Sequence, residues 1–225
     1  MARGLGLAAL REFVRTEVGA ARGGGHVALK TVAAYRSGLD VGPPDPGAAA
    51  EALAGAGPRL AAKPLVDLLL HDALEANAAE PLPVQVHCGF GDSDLLLPRT
   101  DPSHLKPLIE RFSATPFVLL HNYPYVPEAG WLAHVYANVF FDVSLTIPHV
   151  SRPAEMVRQA LELAPTSKLL YASDAARAPE LYPLAARWWR EALAEVLGEA
   201  LPAGHAEDAG RRVLRENALT LYRLR

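Results

Sequence analysis

The 225-residue sequence is poor in cysteine and has no large excess of either charge. Its one cysteine, Cys88, excludes a disulfide framework. The formal net charge of −3 argues against a nucleic-acid-binding protein, which usually carries a strongly basic surface. No apolar run reaches the roughly 18 residues that a membrane-spanning helix needs, and the first residues lack the apolar core of a signal peptide. We therefore expect a cytoplasmic protein that binds neither nucleic acid nor membrane.

The composition is that of a globular protein with a substantial core. Half of the residues are hydrophobic and 21% are charged, and no linker or low-complexity segment interrupts the chain. A chain of this length can bury most of its apolar surface without disulfides or a structural metal. We expect residues 1–225 to form a single domain.

Helical and extended patterns alternate along the sequence. After a first helical stripe that includes Leu7, Leu10 and Val14, five apolar segments predict strands, each followed by a helical pattern, at residues 26–35, 83–88, 117–121, 139–145 and 168–174. This alternation predicts an α/β protein with a parallel sheet covered by helices, either a doubly wound sheet or a (β/α)₈ barrel. No Gly-x-Gly-x-x-Gly follows a strand and no P-loop is present, so nucleotide binding has no support.

Polar side chains recur where the predicted strands end. His87, His121 and Asp174 all lie at carboxyl ends, where parallel α/β proteins carry their sites. Each residue alone is more often a hydrogen-bonded core histidine or a helix cap. Together, two imidazoles and a carboxylate suit a catalytic metal that activates water. In the third predicted strand, alternation places His121 on the opposite face from Val118 and Leu120.

The same alternation sets the surroundings of the cysteine. In the second predicted strand, Cys88 shares a face with Val84 and Val86, opposite Gln85 and His87. We therefore expect its thiol to face the helices and to be buried and inert.

Four motifs carry a family resemblance. They are VHCGFGD at 86–92, LLHNYPY at 119–125, FDVS at 141–144 and LLYASDA at 169–175. This set resembles the amidohydrolase-related family, above all its glutamine-synthetase-linked members. The resemblance implies a metal-dependent hydrolase of the (β/α)₈ TIM-barrel type that acts on amide or related C–N bonds of a small molecule. A decarboxylase or lyase on the same type of barrel is the alternative within enzymes.

The resemblance also assigns roles to individual residues. His87 matches the histidine of the family's fifth strand, His121 that of the sixth, and Asp174 the aspartate of the eighth, so these three are the implied metal ligands. Asp174 would also take the proton of the attacking water and return it to the leaving group. The implied cofactor is a divalent metal, Zn²⁺ first and Mn²⁺ as the alternative.

Further residues are candidates with more than one interpretation. Lys30 falls on the segment that matches the fourth strand of the family's barrel. It is either a ligand that bridges two metals or a buried lysine paired with carboxylates of the site. Arg36, Asp92, Tyr123 and Arg177 lie in strand-end loops and are candidate substrate contacts, with loop ion pairs, turn formation or packing as the alternatives.

The sequence also departs from the family pattern. It has no His-x-His, which in the family ends the first strand, and the segments account for about the last five of eight strand–helix units. We therefore expect an incomplete barrel without its N-terminal strands, from a truncated gene, a misplaced start or a split protein. An inactive fragment, or a subunit completed by a partner chain, is the non-enzymatic alternative. Two open sheet edges predict marginal stability or association into homo-oligomers.

Overall fold

The computed structural model describes residues 5–57, 59–175 and 178–224, and its centre is one parallel sheet. The sheet has five strands, which are β1 Leu29–Thr31, β2 Val84–Cys88, β3 Phe117–His121, β4 Val139–Asp142 and β5 Leu169–Leu170. They pair in chain order, each parallel to the next. A doubly wound sheet would reverse its strand order at a switch point, whereas sequential order is the arrangement of a (β/α)₈ barrel wall. The described sheet thus corresponds to five strands of such a barrel.

Helices connect and cover the strands. They are α1 Leu7–Ala20, α2 Pro46–Ala54, α3 Lys63–Ala76, α4 Lys106–Arg111, α5 Val126–Val135, α6 Pro153–Leu161, α7 Leu181–Ala200, α8 Ala203–Arg211 and α9 Asn217–Leu221. Helices α2 to α6 each carry proline in their first turn, where its missing N–H leaves no intrahelical bond unmade. Asp45 additionally caps α2, because its carboxylate accepts a hydrogen bond from the Ala48 N–H at 3.0 Å.

The main core lies between the outer face of the sheet and the helices. Alternation directs Val84, Val86 and Cys88 of β2, together with Phe117 and Leu119 of β3, into this layer, where all five are buried. The expectation that Cys88 is buried on the helix side is confirmed. Burial raises the pKa of the Cys88 thiol well above its usual range, which keeps it protonated and unreactive.

The inner face of the sheet is covered in part by the end of the chain. Val118, Leu120 and Leu170 form a smaller apolar cluster against Leu221 and Tyr222. Beside it, the Gln85 side-chain amide donates a hydrogen bond to the Tyr222 hydroxyl at 2.9 Å. His87 lies on the same face of β2 two residues later, and so at the carboxyl end of the strand.

Three strands are shorter than the sequence predicts. β1 has three residues and passes into a 3₁₀ turn at Ala33–Tyr35, β4 ends at Asp142, and β5 has two residues. These strands are short because few of their residues have a hydrogen-bonded partner strand. β1 is paired only at Leu29–Thr31, and β4 pairs with β5 only at its last two residues. Apolar residues beyond these positions, such as Val143 and Ile147, are buried in loops instead.

Candidate active site

His87 reaches the inner face by ordinary strand alternation. Its side chain is buried, and its Nε2 lies 3.1 Å from the Phe90 carbonyl oxygen. Because a carbonyl only accepts, Nε2 carries the proton and Nδ1 keeps its lone pair. The neutral ring therefore offers Nδ1 as a ligand or hydrogen-bond acceptor toward the site.

His121 reaches the same place by a different route. Alternation along β3 would direct it to the outer face with Phe117 and Leu119, but the backbone turns left-handed at His121 (φ 72°) and Asn122 (φ 67°). The turn brings its ring to 4.6 Å from the ring of His87, centroid to centroid. The phase of His121 along the strand therefore predicted the wrong face, although its position at the strand end placed it in the site.

A buried hydrogen-bond relay fixes the His121 ring. The Ser144 hydroxyl donates to Asp142 Oδ1 at 2.8 Å, so it accepts from His121 Nδ1–H, which lies 2.7 Å away. Asp142 Oδ1 also accepts the backbone N–H of His121 at 2.8 Å and that of Ser144 at 3.0 Å. The relay leaves the lone pair of His121 on Nε2. An oxygen partner that orients a histidine in this way is a usual companion of metal-binding imidazoles.

Asp174 faces the free nitrogen of His121. Its Oδ2 lies 3.9 Å from His121 Nε2, and nearly half of its side chain is exposed to the cavity. The residue lies four positions beyond the end of β5 and has a left-handed backbone (φ 48°). The two histidines and this carboxylate thus converge at the carboxyl end of the sheet, as the sequence predicts.

Burial keeps both imidazoles neutral. It lowers the pKa of His87 to about 4, and a charge on His121 and the ammonium of Lys30 act in the same direction. Burial likewise lowers the pKa of His121 to about 4, although the carboxylate of Asp174 opposes the shift. Burial also raises the pKa of Asp142, and its hydrogen-bond donors oppose that change. Neutral imidazoles at neutral pH are what metal coordination requires.

Two glycines allow the strand ends to approach. Gly89 follows β2 with φ 72°, and a Cβ there would lie 2.4 Å from the Tyr123 carbonyl oxygen and 2.7 Å from the Asn122 carbonyl carbon. A Cβ at Gly91 would lie 2.0 Å from the Tyr35 hydroxyl. Since real Cβ atoms do not come this close, the segments after His87 and His121 can touch only because residue 89 is glycine.

A cavity of about 860 Å³ opens at this edge of the sheet. The predicted residues that line it are His87, His121, Asp174, Lys30, Arg36 and Asp92. Lys30 is exposed in the cavity and forms no ion pair with any described residue, so the interpretation as a buried, paired lysine is wrong. Tyr123 lines a neighbouring cavity instead, and Arg177 lies outside the described residues.

Comparison with known proteins decides the family. The sequence model of the amidohydrolases matches residues 26–224 of the chain. The chain belongs to the amidohydrolase family. It is 37% identical over 221 residues to the protein fluG of Emericella nidulans, a match that covers 88% of the chain and 26% of fluG. The resemblance noted in the four motifs is confirmed.

Solved structures agree with this assignment. A presumed metal-dependent hydrolase from Lactobacillus casei superposes with a TM-score of 0.90 at 32% identity, over 96% of this chain and 60% of that one. A uronate isomerase from Thermotoga maritima superposes with a TM-score of 0.74 at 14% identity, over 96% of this chain and 54% of that one, and supports the fold alone. The amidohydrolase chain thus spans about a quarter of fluG and less than two thirds of either solved chain.

The donor set of this amidohydrolase fits a divalent cation in type but is small. Two atoms that are each about 2.0–2.2 Å from one cation lie at most about 4.4 Å apart, and the 3.9 Å between His121 Nε2 and Asp174 Oδ2 satisfies this limit. Among the described residues, however, no three His, Cys, Asp or Glu side chains are already arranged to hold a metal. The site therefore has donor atoms of a type that suits a divalent cation, but the described residues do not form a closed cage.

Several site residues escaped the sequence analysis. Arg59 lines the cavity, where it is ion-paired at 2.5 Å with Asp94, and His149 lines it too, although its place in the sequence predicts an ordinary surface or packing role. The pairing of Arg59 and Asp94, 35 residues apart, left no local signal. The polar phase of Asp142 and Ser144 in FDVS was visible, but their link to His121 crosses from one strand to the next.

The helices carry no sign of a membrane segment. Among those that the structure describes, none is both long enough and apolar enough to cross a bilayer.

Proposed function

We propose that this amidohydrolase hydrolyses an amide or related C–N bond of a small molecule with the help of a divalent cation, Zn²⁺ first and Mn²⁺ second. The observation that carries the proposal is the pair of neutral imidazoles next to the carboxylate of Asp174. One nitrogen of each ring donates a hydrogen bond to the protein, Nε2 in His87 and Nδ1 in His121, so the other nitrogen of each ring is left free. His87 Nδ1, His121 Nε2 and Asp174 would hold the cation, which when bound lowers the pKa of a water and polarises the substrate carbonyl.

The residues of the chain supply proton transfer and orientation. Asp174 Oδ2 would accept the proton of the attacking water and return it to the nitrogen of the leaving amine. The carboxylate is exposed to the cavity, where water and substrate can both reach it. Asp142 and Ser144 would keep His121 in one tautomer throughout. Lys30 and Arg36 line the same cavity and offer positive charge to a substrate carboxylate or carbonyl oxygen.

The test is activity of the full chain in millimolar Zn²⁺ or Mn²⁺ against a panel of amides and γ-glutamyl compounds. Asp174→Asn removes the proton acceptor and should lower kcat at least about 100-fold, the usual contribution of a general base. Asp208→Asn is the matched control, because Asp208 pairs with Arg211 on the exposed face of α8 and should leave kcat unchanged. Undiminished metal-dependent hydrolysis in Asp174→Asn, or none by the wild type with either metal, would contradict the proposal.

A second candidate is a subunit that acts only when other strands complete the barrel. The small donor set among the described residues favours it, as does the span of five strands out of the eight of the barrel type. For this candidate we expect the isolated chain to bind Zn²⁺ weakly and to lack activity at every metal concentration. Hydrolysis by the chain alone would exclude it.

A further inference from the structure

A second cavity adjoins the candidate active site. It has a volume of about 740 Å³ and lies between the loop after β3 and the loop that joins β4 to α6. Phe90 and His149 line both cavities. The two cavities therefore adjoin each other at these two rings.

The wall of the second cavity is already ordered. In the β4–α6 loop the buried Thr146 hydroxyl donates to the backbone carbonyl of His121 at 2.8 Å, and Ile147 N–H donates to Val143 at 3.1 Å. His149 Nδ1 lies 2.8 Å from the Leu145 carbonyl oxygen, which fixes its ring. A wall that needs no ordering lowers the entropic cost of binding.

The lining favours a flat apolar group. The Phe90 ring meets the Tyr123 ring nearly edge-on, with 5.8 Å between their centroids, and the His149 ring at 5.9 Å. Tyr123 is 41% exposed, His149 is exposed, and the largely buried Met156 also lines the cavity. Aromatic surfaces left open to a cavity gain from contact with another ring.

One positive charge completes the lining. Arg152 lies just before α6, is exposed to the cavity, and makes no ion pair within the described part of the chain. The nearby carboxylate of Glu155 is already occupied, because it accepts from Arg158 at 3.3 Å and from Gln159 at 3.2 Å. The guanidinium of Arg152 therefore has no carboxylate partner among the described residues, and the hydrogen bonds of Glu155 go to Arg158 and Gln159 instead.

We propose that the second cavity is a substrate subsite for an aromatic ring that bears a carboxylate. The ring packs against Phe90, Tyr123 and His149, and the carboxylate pairs with Arg152. This inference rests on the proposed function in one respect only, since it takes the reacting bond to lie beside His87 and His121. The subsite would determine which amides the enzyme accepts, by binding the part of the substrate that does not react.

The proposal is tested by binding without turnover. Three compounds serve as probes: 3-phenylpropionate has both the ring and the negative charge, 3-phenylpropionamide has the ring alone, and hexanoate has the charge alone. The affinity of the full chain for each compound is measured by ligand-observed NMR titration. We expect 3-phenylpropionate to bind most tightly. Arg152→Gln should weaken it about threefold to fivefold, as expected for a partly exposed ion pair, and leave the amide unaffected. Tyr123→Ala should weaken both aromatic compounds.

Arg190→Gln is the matched control, because Arg190 is exposed on α7 and lines neither cavity. The proposal is overturned if Arg152→Gln binds 3-phenylpropionate like the wild type, if hexanoate binds as tightly, or if no aromatic acid binds. It is also overturned if Arg36→Gln, in the first cavity, causes the loss instead. Because no bond is broken, a chain that binds these acids but hydrolyses no amide refutes the proposed function and leaves the subsite standing.

Discussion

The two buried histidines should make the protein sensitive to mild acid. His87 and His121 each have a pKa of about 4 in the folded chain, against an ordinary value of 6.5. Between these values the unfolded chain binds more protons than the folded one, so the free energy of unfolding falls as the pH falls. The stability that the two neutral histidines contribute to the folded chain is fully present above about pH 6.5 and is lost progressively toward pH 4.

The size of the effect follows from the same values. Between pH 7.5 and pH 5.0 one histidine shifted in this way lowers the free energy of unfolding by about 2 kcal/mol, and two lower it by up to about 4 kcal/mol. Part of the His87 shift comes from repulsion by a charged His121, so the sum for the pair is an upper value. His121→Gln should therefore remove about 2 kcal/mol of the pH dependence, or somewhat more.

The assay is urea unfolding at low micromolar protein, followed by tryptophan fluorescence, because Trp189 is fully buried. EDTA is included, since a bound metal would hold the histidines deprotonated. His205→Gln is the control, because His205 is exposed on α8 and its removal should leave the pH dependence unchanged. If the wild type and His121→Gln lose the same free energy between pH 7.5 and pH 5.0, the reasoning is refuted.

Other predictions concern the relay, the glycine contact, metal affinity and association. Ser144→Ala should lower the free energy of unfolding by about 1–3 kcal/mol, because it leaves the buried His121 Nδ1–H without an acceptor. In this variant ¹⁵N NMR should show a mixture of His121 tautomers, whereas Ser144→Thr should keep a single tautomer. An unchanged tautomer in Ser144→Ala would count against the relay. Gly89→Ala should cost about 3 kcal/mol or more by urea unfolding, since its Cβ would lie 2.4 Å from the Tyr123 carbonyl oxygen. Gly57→Ala, with nothing within 4 Å, should cost little, and equal costs would refute the contact. Calorimetric titration should find weak Zn²⁺ binding, and tight stoichiometric binding would contradict this. Sedimentation should reveal concentration-dependent association through the edges of β1 and β5, and a monomer at all concentrations would exclude it.

Two central strands were readable from the sequence, β3 because burial on both faces leaves a continuous apolar run, and β2 because its apolar and polar residues alternate. β3 has the predicted bounds and β2 differs by one residue. The edge strand β1 is much shorter than its apolar segment, since a strand needs a ladder partner as well as apolar side chains. The apolar composition of a segment therefore predicted where a strand ends only when a neighbouring strand was paired along its whole length.

The site was predictable to the level of which residues meet, but not how they meet. His87, His121 and Asp174 converge because the carboxyl ends of parallel strands share one edge of the sheet. The orientation of His121 depends instead on two consecutive residues with positive φ, which alternation does not encode. Its tautomer depends on a serine 23 residues later, and its approach to β2 on the missing side chain of Gly89.

These contacts link the reacting centre to the choice of substrate through one loop. The segment after β4 holds His121 at two points, through the Ser144 hydroxyl at the ring and the Thr146 hydroxyl at the backbone carbonyl. The same segment continues into His149 and Arg152, which line the second cavity. A substitution that shifts this loop to accommodate a different substrate would also move the ring of His121, because both hydrogen bonds are short and buried. Changes of specificity should therefore come more easily from Tyr123, whose side chain lines the second cavity and takes no part in the relay.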